Sequence, residues 1–356
     1  MRFIHTADVH WGMEPDSDKP WGMERAQAIK DTFVQIIAKA RELDVDFLFI
    51  SGDLFHRQPL QRDLKELNYL FSTIPSVHVV LIAGNHDYIQ NNSSLLNFLW
   101  CSNVTFLTGE QIEHVYFDDC NTDVYGFSYH SAELCENRLE HLKAPDHDCI
   151  SVLLAHGGDD AHLPLDKSAL AASGFSYIAL GHIHKPGIFV EGKAAFPGSP
   201  EPLDKTETGV HGIYYGEINS ASRKLEILKF LPMSKCQYIP LAVNITPGTT
   251  NTGLEMRMGQ EIEKRGTQHI YRFRIRGFRD PEIEFNFQNL ISKFRISEIL
   301  DESEPQYDLN ILFAEHSSDM IGFYIQALQK PDMDPIEKKA LYYGIHALLQ
   351  TTDERS

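Results

Sequence analysis

The chain has 356 residues, 42% of them hydrophobic and 23% charged, enough to bury one large core and a smaller one. Its formal net charge of -18 argues, taken alone, against a nucleic-acid binder, because phosphate contacts need Lys and Arg. A nucleic-acid enzyme with this balance needs bound cations in its cleft, or basic residues that are local or come from a partner.

Phe3 to Ala7 reads as a strand, and Glu24 to Glu42 as a long helix with Ile29, Phe33, Ile36, Ile37 and Ala40 on one face. Asp46 to Ile50 is an apolar strand, Leu64 to Phe71 a helix, and His78 to Ala83 the next strand. Gln111–Phe117 and Asp123–Tyr129 follow as strands. Cys149 to Ala155 and Tyr177 to Leu180 are apolar strands, with a short helix over Lys167–Ala172 between them. Residues 187–230 read as short strands and turns. Beyond Pro232, Ile239 to Ile245 is apolar, Leu254 to Lys264 helical, Tyr271 to Ile275 a strand and Phe285 to Lys293 helical. Asp301-Glu302-Ser303-Glu304-Pro305 reads as an acidic turn before two helices. The first covers about Ser318 to Gln329. The second opens at Asp334-Pro335, with Asp334 as N-cap and Glu337 completing a capping box. The expected division is a catalytic domain over 1–232, a small α+β cap over 233–300 and a helical segment over 301–356.

No apolar run approaches the length of a membrane span, and no secretory signal pattern precedes Asp8. The five cysteines are odd in number and form no CxxC pair, which fits a reduced, cytoplasmic protein.

Five clusters carry the chemistry: Asp8-Val9-His10, Gly52-Asp53-Leu54-Phe55-His56, Gly84-Asn85-His86-Asp87, Ala155-His156-Gly157 and Gly181-His182-Ile183-His184. Each follows an apolar run, so the ligand-type residues gather at strand ends. Asp8 and His10, like His182 and His184, stand at i and i+2 on an extended segment and can face one ion. Asp53 can bridge two ions with its two oxygens, Asn85 offers a neutral carbonyl oxygen, and His156 completes a mixed N/O set. Such a set suits manganese, iron or zinc, and two such ions clamp a phosphoryl group and activate water to attack it. A lone Asp or His at any of these places would be structural more often than not; the five clusters together in this order carry the reading.

These motifs resemble the pattern DxH, GDxxH, GNHD, H and GHxH of the calcineurin-like metallophosphoesterases. The resemblance implies an α/β fold of two packed mixed β-sheets flanked by helices. It implies that Asp8, His10, Asp53 and His184 hold one divalent ion, and Asp53, Asn85, His156 and His182 the other. His86 would face the scissile phosphate as proton donor or transition-state stabiliser, with His56 orienting the phosphate or His86. His56 within GDLFH, and Phe196-Pro197-Gly198-Ser199-Pro200-Glu201-Pro202-Leu203-Asp204 after the last motif, resemble the DNA repair nucleases of the SbcD and MRN-nuclease group, most of all its YhaO-type branch. That resemblance covers residues 1–230 strongly and the remainder weakly. It implies a manganese-dependent exonuclease or endonuclease with DNA as substrate, an SbcC-like coiled-coil ATPase as partner, and a homodimer. The alternative is a small-molecule or cyclic-nucleotide phosphodiesterase with the same two ions, and a third reading is a silent binding module.

Outside the motifs, Arg272, Arg274 and Arg276 share one face of an alternating run. They read either as phosphate contacts or as a solvated face paired with Glu282 and Glu284. Met320, Ile321, Tyr324, Ile325, Leu328, Leu341, Ile345, Leu348 and Leu349 form stripes that either dock a partner or pack together. Asp159-Asp160 reads as loop, and His5, His78, His114, His130, His162 and His211 as structural or solvated.

Overall fold

A computed structural model describes residues 1–146 and 148–353. Two units separate within it, Met1–Tyr238 and a second that begins at Ile239.

In the first unit β1 (Arg2–Thr6), α1 (Gly22–Glu42), β2 (Phe47–Ser51), α2 (Gln61–Ser72), β3 (His78–Ile82), α3 (Ser94–Asn97) and β4 (Val104–Phe106) alternate. The four strands run parallel. Next come β5 (Glu113–Phe117), β6 (Thr122–Gly126), β7 (Ile150–His156), α4 (Lys167–Ala171), β8 (Tyr177–Gly181), β9 (Gly187–Val190) and β10 (Ala194–Phe196). They build a second sheet in the order β5-β6-β7-β8-β10-β9, parallel at its centre and antiparallel at both edges. The chain then returns through β11 (Gly212–Ile218) and β12 (Leu225–Pro232) to extend the first sheet as β12-β11-β1-β2-β3-β4. Two packed mixed sheets with helices outside are the architecture expected from the motifs.

Strand alternation explains the layering. Phe47 and Phe49 point from β2 toward the second sheet. There they share one buried cluster with Phe3, Val80, Ile82, Val152, Leu154, Tyr177 and Ala179. Leu48 and Ile50, on the other face, pack with Ile29, Phe33 and Ile36 of α1 and Leu64, Leu67 and Phe71 of α2. Each such side chain fully removed from water contributes ~1.5–3 kcal/mol. Burial on both faces gives the continuous apolar runs of the sequence. Because β1, β2 and β3 run parallel to one another in the first sheet, and β7 and β8 in the second, the loops at their C-terminal ends emerge on common edges.

The second unit contains β13 (Tyr238–Ile245), α5 (Asn251–Arg265), β14 (Ile270–Arg279), α6 (Phe287–Lys293) and β15 (Ile296–Pro305), with sheet order β13-β14-β15. The acidic turn expected at Asp301–Pro305 is instead the second half of β15, paired parallel with β14. The strand therefore runs through residue 300, where the cap domain was expected to end. Cross-strand charge pairing accounts for this. Arg272 pairs with Glu298, while Arg274 and Arg276 reach Glu302 at 3.3 and 2.9 Å. The expected partners Glu282 and Glu284 lie outside both strands. Opposite charges on adjacent strands stabilise the pairing that composition alone makes look like a loop.

Helices α7 (Leu309–Glu315), α8 (Met320–Leu328) and α9 (Pro335–Asp353) close the chain. The capping box forms: Asp334 Oδ1 accepts from the Glu337 amide at 2.8 Å, and Glu337 Oε2 accepts from the Asp334 amide at 3.2 Å. Ile321, Ile325, Leu341 and Ile345 bury one another, with Tyr324, Leu348 and Leu349 at the margin. Met320 and Leu328 remain exposed.

Candidate metal centre

The loops after β1, β2, β3 and β8, and the last residue of β7, bring all seven expected ligands to one place. Asp8, His10 and His184 present ligand atoms within 4.8 Å of one another, as do Asp8, Asp53 and His156. His10 Nε2 stands 3.2 Å from His184 Nε2, and His184 Nε2 lies 3.9 Å from Asp8 Oδ1. On the other side, Asn85 Oδ1 is 2.9 Å from His156 Nε2 and 3.2 Å from His182 Nδ1. Asp53 Oδ2 connects the two lobes, 3.7 Å from His10 Nε2 and 3.4 Å from His156 Nε2.

These spacings test whether a metal fits. Ligands 2.0–2.2 Å from a shared ion stand roughly 3–3.5 Å apart. The donor pairs within each lobe fall in or near that range, and each lobe mixes imidazole nitrogen with carboxylate or amide oxygen. No thiol joins either lobe, a donor chemistry suited to manganese, iron or zinc.

The imidazoles are also oriented. His156 Nδ1 donates to the Ser51 carbonyl at 2.8 Å, which turns Nε2 toward the centre. Asp159 Oδ2 accepts from His182 Nε2 at 2.8 Å, so His182 faces inward through Nδ1. Glu207 Oε1 accepts from His184 Nδ1 at 2.7 Å, leaving Nε2 inward. Such partners select the ring nitrogen left for an ion.

Carboxylates and backbone hold the remaining groups. Both Asp8 oxygens accept from the His182 amide at 3.0 Å. Asp53 Oδ1 accepts from the His86 amide at 2.9 Å. Buried Asp87 ties two of the loops, accepting from the amides of Gly84 and Phe55 at 2.7 and 3.0 Å. Asp8, His10, Asp53 and His182 sit at φ values of 52, 51, 50 and 94°, in the left-handed region that L-residues avoid. Such strain costs ~1 kcal/mol or more per residue and persists where the surroundings enforce it. Gly84 is needed for closeness rather than conformation: a Cβ there would stand 2.2 Å from Asp53 Oδ1 and 2.7 Å from the Asp53 amide nitrogen.

Burial and closely spaced charges shift the titratable groups of the centre in opposing directions. Burial pushes Asp8 up to about 6. Burial raises Asp87 to about 7, helped by the charge of Asp53. Burial alone would lower His156 and His184, but Asp53 with Asp8 raises His156 to about 9, and Glu207 with Asp8 raises His184 to about 9. Burial depresses His10 well below its ordinary value, and His182 to about 4. Buried carboxylates that hold protons on neighbouring imidazoles form an environment in which divalent cations can replace those protons.

The two expected catalytic histidines flank this centre. His86 is exposed, its ring 4.7 Å from that of His10 and stacked at 5.3 Å on that of His56. Its Nδ1 donates to the His56 carbonyl at 3.2 Å. The His56 ring approaches His10, Nδ1 to Nδ1, at 3.3 Å. His56 thus touches both His86 and a candidate ligand. Asp159 and Glu207 are contributors that the motifs do not contain, and His162 joins them by donating to Asp159 at 2.9 Å. His5 is buried between Ser51 and Tyr177, and His211 against Ser199. His78 and His114 pair with Asp119 and Asp123 away from the centre, and His130 meets the Thr108 carbonyl.

Among known proteins, the chain is 33% identical over 233 residues to the DNA double-strand break repair protein Mre11 of Archaeoglobus fulgidus, an alignment covering 58% of this chain and 52% of that one. The Methanopyrus kandleri protein of the same name is 29% identical over 238 residues, 59% of this chain and 52% of that one. The uncharacterized metallophosphoesterase YhaO of Bacillus subtilis is 26% identical over 301 residues, 78% of this chain and 72% of that one. The chain thus spans about half the length of these archaeal relatives. The family model for the calcineurin-like phosphoesterases matches residues 1–186, more than half of the 356, and takes in all five motifs. With those motifs folded onto a single two-lobed donor cluster, the chain belongs to the calcineurin-like phosphoesterase family.

Proposed function

We propose that this chain is a two-metal phosphodiesterase that hydrolyses DNA, with Asp8, His10, Asp53 and His184 holding one ion and Asp53, Asn85, His156 and His182 the other. The observation that carries the reading is Asp53 Oδ2, set between two donor lobes whose spacings suit bound ions. Two divalent ions, manganese in the first instance, would neutralise the phosphate oxygens and lower the pKa of the attacking water. The chain's own task is orientation. With Nδ1–H of His86 committed to the His56 carbonyl, Nε2 is the atom that serves the phosphate or gives a proton to the departing oxygen. His56 positions that ring through its backbone and steadies His10 through its side chain.

DNA as substrate is supported by the likeness to Mre11 repair proteins. Residues 233–300 would serve as a cap and 301–356 as the segment that meets an SbcC-like ATPase, where Met320, Phe323 and Leu328 offer exposed apolar surface. Five free thiols fit a cytoplasmic setting. The second reading, a small phosphodiester substrate, is favoured by the charge of -18 and by the engagement of Arg272, Arg274 and Arg276 with Glu298 and Glu302.

The deciding experiment is manganese-dependent cleavage of end-labelled linear duplex DNA, with His86→Ala and Asp53→Ala alongside and an aryl phosphodiester as control. Loss of DNA cleavage in both variants supports the nuclease and its site together. Cleavage of the aryl diester alone, with or without added ATPase, removes DNA from the reading and leaves the small-substrate enzyme.

A further inference from the structure

The segment Pro197-Gly198-Ser199-Pro200-Glu201-Pro202-Leu203-Asp204 follows the last motif but contributes no candidate ligand. It lies against the His184 loop. The Ser199 amide donates to the His184 carbonyl at 3.1 Å, and Gly198, at φ 73°, approaches so closely that a Cβ there would stand 2.4 Å from that carbonyl oxygen. The turn that follows the segment presents Glu207, whose amide donates to the Asp204 carbonyl at 3.0 Å. One carboxylate oxygen, Oε1, takes His184 Nδ1–H at 2.7 Å. The other, Oε2, accepts from Ser199 Oγ at 3.0 Å and the Leu203 amide at 2.9 Å. With both oxygens engaged, the carboxylate is fixed and turned away from the ion position.

The segment is itself anchored. Glu201, buried, accepts from Arg25 Nη1 at 3.2 Å and Thr32 Oγ1 at 2.7 Å, both on α1. His211 Nδ1 meets the Ser199 carbonyl at 2.9 Å. By contrast, His182 is oriented through its other nitrogen by Asp159, whose side chain is 49% exposed against 15% for Glu207. The two neighbouring histidines are thus set by unlike devices.

We infer that Glu207 is a positioning residue: it locks the His184 ring with Nε2 inward and thereby determines how tightly the Asp8, His10 and His184 lobe holds its ion. This rests on the two-metal reading. Removing such a partner typically weakens metal binding ~10–100-fold.

The test uses the full chain, metal-free at the start, as wild type, Glu207→Ala and Glu207→Gln. Manganese binding is followed by calorimetry, the His184 Nδ1–H proton by NMR of the metal-free protein, and folding by its thermal midpoint. In Glu207→Ala one of two binding events weakens ~10–100-fold while the other stays, and the protected Nδ1–H signal disappears. Glu207→Gln, whose amide oxygen still accepts, keeps that signal and recovers part of the affinity. Two unchanged binding events with the signal retained in Glu207→Ala would overturn the inference. So would equal weakening of both events together with a lower midpoint in the metal-free variant, which marks a general role in folding. Wild-type protein that binds no divalent ion sinks the two-metal reading instead, and the Nδ1–H signal then still decides whether Glu207 orients His184.

Discussion

Replacing Gly84 with alanine tests the centre through sterics alone, because the backbone at this position does not occupy the left-handed region. The new methyl would stand 2.2 Å from Asp53 Oδ1, 2.7 Å from the Asp53 amide nitrogen and 2.8 Å from His156 Cε1. Ordinary contact distances for such pairs are ~3.5 Å, so something must move by roughly 1 Å. Asp53 cannot yield by rotating a free end, since Oδ1 holds the His86 amide and the loop backbone is also struck. A displacement of this size at a reacting centre costs about 10²-fold in rate, and overpacking costs ~1–3 kcal/mol in stability. The expected result for Gly84→Ala is therefore a folded protein, modestly destabilised, with manganese-dependent hydrolysis of an aryl phosphodiester down at least ~10²-fold. Near-normal kcat/KM at wild-type manganese concentrations would show that Asp53 is not the shared ligand, and the two-lobe argument would fail with it.

Three further outcomes are expected. His156 and His184, both held up to about 9 in the metal-free protein, must lose protons to bind ions, so manganese affinity should rise with pH from neutrality and flatten above 9. One displaced proton per ion gives each binding event a slope of up to ~1 decade per pH unit; calorimetry in buffers of different ionisation enthalpy that finds no proton release at neutral pH would contradict this. Arg25→Ala leaves Glu201 buried without its cation and should cost ~3–5 kcal/mol in urea denaturation, and a change below ~1 kcal/mol would mean the pair is not truly desolvated. Arg274→Ala and Arg276→Ala remove half-exposed cross-strand pairs with Glu302 and should each lower stability by only ~0.2–1 kcal/mol while leaving DNA cleavage unchanged. Cleavage that falls in either variant would return these arginines to the substrate path.

The centre was legible because its chemistry constrains residue type and order together. Asp8 and His10, or His182 and His184, mean little singly, yet five such clusters at five strand ends have few other uses. The sheets were legible for a related reason: strands buried on both faces leave unbroken apolar runs. What escaped depends on partners distant in sequence. Glu207 lies 23 residues after His184, and no spacing rule links a carboxylate in a polar turn to a histidine beyond a hairpin. In the sequence the Phe196–Asp204 run carries only a resemblance to repair nucleases, and the close approach of Gly198 to the His184 carbonyl emerges from the fold. Asp159 read as loop because its role depends on where His182 arrives. The second half of β15 read as a turn because Asp301-Glu302-Ser303-Glu304 has poor strand character until Arg274 and Arg276 stand opposite.

The donors come from two different sheets. Asp8, His10, Asp53 and Asn85 ride on the first, while His156, His182 and His184 ride on the second. What fixes their separation is the aromatic filling between the layers, where the rings of Phe3 and Tyr177 meet at 4.6 Å and those of Phe47 and Phe117 at 5.1 Å. Ion affinity is therefore a vernier on the alignment of the two layers. A cavity or a bulky substituent deep in the sandwich would slide one scale against the other, and the centre would register the slip before the fold gave way.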